Sequence, residues 1–141
     1  MTLSIIPYEG KRPFPPRVTP LTVDFWQPLR DGVWQSTACR NCDQLTFPPK
    51  KICPFCWSDD MEWRPLAAEG RLYSWTKVHA APAAFRAQAP YYVGIVDLSD
   101  GVRLACPVLP SEEQLPSCGS SVKMVVLGAE DGPLFAAEIS E

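Results

Sequence analysis

Two Cys-x-x-Cys pairs occur in the stretch CRNCDQLTFPPKKICPFC, residues 39–56, with ten residues between the pairs. A tight turn at such a pair points backbone amides at the sulfur atoms and so favours thiolates. Four thiolates in two spaced pairs are typical of a tetrahedral zinc site, here Cys39, Cys42, Cys53 and Cys56. Because a shell of four thiolates leaves no position for water or substrate, we predict a structural zinc ion and not a catalytic one.

Two alternatives to zinc follow from the same residues. Rubredoxin-like iron binds four thiolates equally well, and the spacing does not distinguish the two ions. A disulfide or a redox-active Cys-x-x-Cys motif would explain one pair but not both. A segment of about 28 residues, 37–64, is too short to fold on apolar burial alone, so a metal would hold it as a zinc ribbon. Within it we predict a short hairpin turned at Pro48-Pro49 and a strand in WSDDMEW, residues 57–63.

The composition of the chain indicates a folded protein without a membrane span. The chain has 141 residues, of which 46% are hydrophobic, and this favours a folded protein over a disordered one. No run approaches the roughly 18 apolar residues of a membrane span, and the first residues lack the pattern of a signal peptide. Six cysteines without an export signal indicate reduced thiols, so we expect a cytoplasmic protein with no membrane partner.

The charge balance argues against a nucleic-acid partner. The formal net charge is −3, whereas nucleic-acid binders carry a basic excess that neutralises phosphates. The small basic cluster of Arg40, Lys50 and Lys51 lies beside the cysteines, and we interpret it as compensation for the thiolates. A nucleic-acid-binding function stays open as an alternative, because aromatic side chains of a β-barrel stack bases: Tyr73, Trp75, Tyr91 and Tyr92.

The first part of the chain, residues 1–36, starts with a proline-dense extension. A short helix is predicted in the stretch around FWQPLRDG, with Asp24 as its N-cap and Pro28 in its first turn. Two interpretations remain for this helix. It packs on its own domain, or it forms a helical arm that docks on a partner subunit through Phe25 and Trp26.

The last part, residues 65–141, is rich in β-strand patterns. GRLYSWTKVHA alternates polar and apolar residues as a half-buried strand would. Two further stretches each read as two strands joined at a turn, YYVGIVDLSDGVRLACPVL at Ser99-Asp100-Gly101 and SVKMVVLGAEDGPLFAAEI at Asp131-Gly132. Five strands without a convincing helix predict a mainly β fold whose last domain is a closed Greek-key barrel of the OB type. The predicted domains are therefore 1–36, 37–64 and 65–141.

Read in order, these motifs resemble a known family. FWQPLRDG, CRNCDQLTFPPKKICPFCWSDDMEW, GRLYSWTKVHAA, PYYVGIVDLSDGVRLACPVL and VKMVVLGAEDGPLFAAE follow the arrangement of the zinc-ribbon and OB-fold proteins associated with acyl-CoA, called domain of unknown function 35. The resemblance covers about residues 22–139 and leaves out the proline-rich start.

The resemblance implies a function that the cysteine spacing alone does not indicate. Such proteins accompany thiolase-fold enzymes, and some accompany enoyl-CoA hydratases. Their complexes act in thiolysis, retro-aldol cleavage, acyl transfer and hydroxymethylglutaryl-CoA synthesis, including lipid, steroid side-chain and aromatic degradation. By this resemblance the chain is a non-catalytic or co-catalytic accessory subunit of a hetero-oligomer, and we expect a heterotetramer around a thiolase dimer. It would bridge or stabilise a thiolase-like partner, border the acyl-CoA channel and have no activity alone.

The candidate ligand contacts come from the barrel half. Coenzyme A phosphates need cations, and Arg86 lies in a loop whose Ala and Pro neighbours would let it approach a coenzyme A thioester. His79, the one histidine of the chain, follows a predicted strand and is the second candidate contact. We assign no catalytic residue. A stand-alone acyl-CoA enzyme acting through His79 or Cys118 remains the third hypothesis.

Overall fold

The computed structural model describes residues 2–140 and places most of them in strands. In chain order the elements are β1 Ser4–Pro7, α1 Val23–Leu29, β2 Gln35–Cys39, β3 Met61–Pro65, β4 Glu69–Val78, a 3-10 helix Ala83–Gln88, β5 Tyr91–Leu98, β6 Arg103–Leu109, β7 Ser121–Ala129 and β8 Gly132–Ile139. Within the described range, no helix combines the length and the apolar character that crossing a membrane requires.

The last five strands close into a barrel. Their order is β7-β4-β5-β6-β8, and pairing of β7 with β8 closes the ring, which confirms the predicted five-stranded OB-type barrel. Along β6 the side chains alternate between exposed and buried positions, so that Leu104, Cys106 and Val108 point into the barrel. Closure pairs each of these strands on both sides over at least part of its length, with the shortest seams between β6 and β8 and between β4 and β7.

The helix is a short element of the core, and the predicted helical arm is not supported. It spans only seven residues, and Phe25, 3% exposed, and Leu29 are buried in the core of the same chain. Thr22, not Asp24, occupies the N-cap position, and Pro28 lies in the last turn instead of the first. Pro28 has no N–H to donate to the Asp24 carbonyl, and Gln35 Nε2 donates to that oxygen at 3.0 Å instead.

The ribbon is built from strands that flank the cysteine pairs. β2 and β3 are antiparallel, with Gln35 opposite Pro65 and Cys39 opposite Met61. The predicted strand in residues 57–63 is confirmed from Met61 onward. The predicted hairpin at Pro48-Pro49 is wrong, since residues 44–52 contain only one isolated bridge, between Leu45 and Ala38.

Buried hydroxyl groups fix the segment between the cysteine pairs in place of strand pairing. Thr46 N donates to Thr37 O at 2.9 Å, and the two threonine hydroxyls lie 2.7 Å apart. Lys50 N donates to Thr37 Oγ1 at 2.8 Å. All of these side-chain hydroxyls have partners, so the segment avoids the cost of unsatisfied buried polar groups.

Five aromatic rings join the helix, the ribbon and the barrel. We call this group the aromatic junction; ring centroids of its contacting pairs lie between 4.9 and 6.1 Å apart, and its members are Phe25, Trp26, Trp34, Phe47 and Phe135. Trp34 Nε1 also donates to Ala67 O at 2.9 Å. Because the rings come from all three parts of the fold, the ribbon is packed against the barrel.

The proline-rich start is attached to the barrel. β1 pairs in parallel with β7, so that Ser4 lies beside Val125 and Pro7 beside Gly128. Leu3 is buried in the main core, and its N–H donates to Gly32 O at 2.8 Å. Gly32 has a φ of +84°, and a Cβ there would lie 2.6 Å from Leu3 O, so this contact requires glycine. We call residues 4–14 the N-terminal strap.

Replacement of Phe25 tests whether the helix belongs to the core. We expect Phe25→Ala to lower the free energy of unfolding of the isolated, metal-loaded chain by about 3–5 kcal/mol, because a large buried ring is lost. Phe14→Ala removes a ring that is 63% exposed and should cost less than about 1 kcal/mol. Urea unfolding followed by tryptophan fluorescence measures both values. Equal, small losses would contradict the core assignment of Phe25.

Candidate metal centre

The fold brings the four predicted metal ligands together. The Sγ atoms of the cysteines all lie within 4.8 Å of one another: Cys39, Cys42, Cys53 and Cys56. Two of the sulfur pairs are 3.5 Å apart, Cys39 with Cys56 and Cys42 with Cys53. The first cysteine of each pair is buried and the second is half-buried. The cluster therefore lies just below the surface of the ribbon.

The two cysteine pairs have the same local structure, which we call a knuckle. In each knuckle the residue after the second cysteine has a left-handed backbone, Asp43 at φ +63° and Trp57 at φ +67°. Its N–H donates to the carbonyl of the first cysteine, from Asp43 to Cys39 at 2.8 Å and from Trp57 to Cys53 at 2.9 Å. In both knuckles the N–H of the first cysteine also donates to a later carbonyl, from Cys39 to Gln44 O at 2.9 Å and from Cys53 to Ser58 O at 2.8 Å. The left-handed residue at both places therefore reflects the knuckle geometry and not the side chain.

Hydrogen bonds from N–H groups reach sulfur atoms in both knuckles. Cys42 N donates to Cys39 Sγ and Phe55 N to Cys53 Sγ, both at 3.4 Å. Asn41 Nδ2 donates to Cys56 Sγ at 3.5 Å. This bond and the one from the backbone of Ser58 lower the pKa of the Cys56 thiol to about 6.

The donor set fits a soft tetrahedral ion. A four-thiolate zinc site with bonds of about 2.3 Å has sulfur–sulfur edges of about 3.8 Å, close to the spacing in this cluster. Four sulfur donors complete the shell, so the residues would hold zinc as a structural ion that stabilises the ribbon. Iron satisfies the same donor set, and the choice between the two ions is a matter for metal analysis.

Arg40 pairs with carboxylates and not with the sulfur atoms. Its guanidinium lies 3.1 Å from Asp60 Oδ1 and 3.2 Å from Glu62 Oε2, and Arg64 contacts Glu62 and Asp43 at 2.6 and 2.9 Å. Our interpretation of Arg40 as compensation for the thiolates is therefore wrong, because carboxylates in and beside β3 lie within its reach. Arg64 and Arg40 together lower the pKa of Glu62.

The two predicted coenzyme A contacts lie between β4 and β5. His79 directly follows β4, and Arg86 lies in the 3-10 helix. Both are exposed, and within residues 2–140 neither side chain forms a hydrogen bond or an ion pair. Their contact with coenzyme A stays a prediction.

The two cysteines outside the cluster differ in environment. Cys106 is buried inside the barrel, and burial raises the pKa of its thiol to about 12, so it stays protonated. Cys118 is exposed in the loop before β7. A neutral, buried thiol is a poor nucleophile, and Cys106 accordingly acts as a small hydrophobic residue.

An apolar cleft on the outside of the barrel was not predicted from the sequence. It has a volume of about 630 Å³ and lies between the N-terminal strap, the 3-10 helix and the outer surfaces of β5 and β6. The signal in the sequence was the apolar run Ile5-Ile6-Pro7-Tyr8, but nothing in that run indicates that β1 would pair with β7.

Two family models match adjacent parts of the chain. Residues 26–62 match the model described as "ChsH2, rubredoxin-like zinc ribbon domain", and residues 63–127 match "ChsH2, C-terminal OB-fold domain". The two matches meet between the second and third residues of β3. The strap and the first three residues of α1 lie outside both.

The similar proteins are described either as scaffold proteins or as a subunit of a thiolase. A DUF35 domain-containing scaffold protein of Methanocaldococcus jannaschii is 33% identical over 88 residues, which are 62% of this chain and 62% of the relative. The benzoylsuccinyl-CoA thiolase subunit BbsA of Thauera aromatica is 36% identical over 66 residues, 47% of this chain and 44% of that subunit. The chain thus matches about half to three fifths of these curated relatives' own length.

A solved structure matches a larger share of this chain than either of these relatives does. A chain of the structure described as "Ltp2-ChsH2(DUF35) aldolase" superimposes with a TM-score of 0.75 and 25% sequence identity. The superposition covers 89% of this chain and 98% of that chain. The similarity extends over both the ribbon and the barrel.

Loss of one cluster cysteine tests the metal centre. We expect the wild-type chain to carry about one ion, colourless if it is zinc and with thiolate charge-transfer absorbance if it is iron. Cys39→Ser should lose the ion and the ordered ribbon, because three thiolates no longer complete the shell. Metal analysis and near-ultraviolet circular dichroism measure the two effects. The matched control is Cys118→Ser, which should keep both, and a Cys39→Ser chain that keeps both would contradict the assignment.

Proposed function

The chain belongs to the DUF35 family of ChsH2-type zinc-ribbon and OB-fold proteins, and we propose that it serves as an accessory scaffold subunit for a thiolase-fold enzyme that processes acyl-CoA. The partner would be a retro-aldolase, a thiolase or an acyltransferase, for example in steroid side-chain or aromatic degradation. In this proposal the partner carries the nucleophile, and this chain bridges or stabilises it in a hetero-oligomer.

The observation that carries the proposal is the match to a chain of an aldolase complex over 98% of that chain's length. A relative that is a thiolase subunit and relatives described as scaffold proteins support the same class of partner. The site chemistry agrees with an accessory role. A four-thiolate cluster has no open coordination position, and among residues 2–140 neither the His79 nor the Cys118 side chain forms a hydrogen bond or an ion pair with a group that could activate it.

The second knuckle offers a surface for that partner. Ile52, Phe55 and Trp57, which we call the knuckle patch, are large apolar side chains with exposed fractions up to 79% at Trp57. The left-handed backbone of Trp57 is held by its hydrogen bond to Cys53 and directs the indole away from the ribbon. An apolar side chain as large as tryptophan costs free energy when it is left in contact with water, and tryptophan is enriched in protein interfaces.

The helix adds a second proposed contact. Trp26 is half-buried, and its ring stacks on Phe135 with 6.1 Å between centroids, so one side of the indole stays available to a partner. Phe25, the other predicted contact, is covered by the chain's own core and would support Trp26 from below. His79 and Arg86 are proposed to border the acyl-CoA channel, with the coenzyme A thioester as ligand.

Co-expression tests the proposed partnership. We expect the tagged chain to co-elute, in constant ratio, with a thiolase-fold enzyme encoded beside its gene, and acyl-CoA turnover to require both chains. Trp57→Ser should weaken the association by roughly tenfold or more, as expected for an interface tryptophan, without changing the metal content. Size-exclusion chromatography and a pull-down titration measure the association.

A control variant separates the interface from general surface effects. Leu115 is 71% exposed in the loop between β6 and β7, and Leu115→Ser should leave the association unchanged. The proposal fails if the chain stays monomeric while the thiolase-fold enzyme is stable and fully active without it.

A further inference from the structure

The apolar cleft has the dimensions and walls of a ligand site. Its volume of about 630 Å³ lies within the range of roughly 300–1,000 Å³ typical of small-molecule sites. The strap forms one wall with Ile6 and Tyr8, and the 3-10 helix forms another with Phe85 and Gln88. Tyr8 and Gln88 join the two walls, since Gln88 Nε2 donates to the Tyr8 hydroxyl.

The strap is held in place by contacts far apart in sequence. Arg12 NH2 donates to Asp131 O at 2.8 Å, and Arg12 N donates to Asp131 Oδ1 at 2.8 Å. The hydrogen bond from the Arg12 backbone, with the nearby guanidinium charge, lowers the pKa of Asp131. A Cβ on Gly132 would lie 2.6 Å from the Arg12 guanidinium, so glycine in the β7–β8 turn makes room for it.

Aromatic contacts fix the other end of the strap. Phe14 packs on Phe85 with 5.2 Å between ring centroids, and Phe85 packs on Tyr91 at 5.5 Å. This row runs from the strap through the 3-10 helix to the first residue of β5. The walls are thus connected at both ends, and the cleft is a built feature of the fold.

The lining indicates the chemistry of the ligand. None of the residues that line the cleft is charged, and the floor is formed by aliphatic side chains such as Leu109, Leu127 and Leu134. Such a lining would accept a neutral apolar group and reject a phosphate. Arg86, exposed and without an ion pair within the described residues, lies between Phe85 and Gln88 in the 3-10 helix. An anionic group outside the cleft would find a cation there.

We propose that the cleft binds the acyl moiety of an acyl-CoA, with the coenzyme A portion outside it near Arg86. The ligand is an amphiphile whose apolar chain or ring system replaces water in the cleft and whose phosphates face the 3-10 helix. The strap contributes one wall of the site from residues that precede the family-model matches, whereas most of the other lining residues lie within the matched OB-fold domain.

The choice of an acyl-CoA as ligand rests on the proposed function, but the two are tested separately. Ligand binding is measured on the metal-loaded full chain without a partner, whereas the scaffold role is measured by association with the partner. Binding by a chain that never associates would support the site and remove the scaffold role. A chain that associates with the partner but binds no ligand would support the scaffold role and contradict the proposed site.

Calorimetric titration with three probes tests the site. The probes are decanoyl-CoA, free coenzyme A and decanol, each below its micelle-forming concentration. We expect decanoyl-CoA to bind at least tenfold more tightly than free coenzyme A. Ala105→Phe places a ring into the cleft from an exposed position of β6 and should weaken both decanoyl-CoA and decanol at least tenfold.

Two further variants test which region of the protein binds each part of the ligand. Arg86→Gln should weaken decanoyl-CoA severalfold and leave decanol unchanged, whereas Arg12→Ala should weaken both probes by releasing the strap. Leu115→Phe adds an aromatic ring outside the cleft and is the control, with unchanged binding and metal content. Equal affinities for decanoyl-CoA and free coenzyme A, or unchanged binding of decanoyl-CoA by Ala105→Phe, would overturn the proposal.

Discussion

The four-thiolate cluster is the constraint on which the rest of the ribbon depends. Cys39 is at once the last residue of β2, a partner of Met61 in β3 and a predicted metal ligand. Phe47 lies between the two knuckles and packs against Phe135 of the barrel, with 5.6 Å between ring centroids. Because the ribbon has too few residues for a core of its own, an ion held by the cluster and the aromatic junction would together determine where the ribbon lies. Loss of the cluster would therefore disturb the contact between ribbon and barrel as well as the knuckles.

Features with a local cause could be predicted from the sequence. The barrel strands follow from short runs rich in β-branched, aromatic and other apolar residues, and the turns at Gly101 and Gly132 follow from glycines that accept a positive φ. The cysteine cluster follows from spacing alone. The position of the helix could be predicted, but the choice between packing on its own domain and acting as an arm could not, because its burial depends on rings from Trp34, Phe47 and Phe135 that come from later in the chain.

Features that join distant segments could not be predicted. The pairing of Ser4 with Val125 and the contact of Arg12 with Asp131 each connect residues more than a hundred positions apart, and no periodicity indicates them. The apolar cleft depends on both contacts and was missed for that reason. The exposed side chain of Trp57 was missed because WSDDMEW suggested a strand, whereas the left-handed backbone after the second knuckle ends any strand pattern there.

The parts of the fold have different physical roles. The cysteine cluster holds the shape of the ribbon, the knuckle patch and Trp26 are the surfaces proposed for a partner, and the cleft is the proposed site for an acyl group. We infer that an ion in the cluster supports structure and takes no part in chemistry. Exchange of zinc for cadmium in the assembled complex tests this inference, because cadmium also binds four thiolates tetrahedrally but differs in Lewis acidity. We expect unchanged assembly and unchanged acyl-CoA turnover. A large change in turnover by a complex that assembles normally would contradict it.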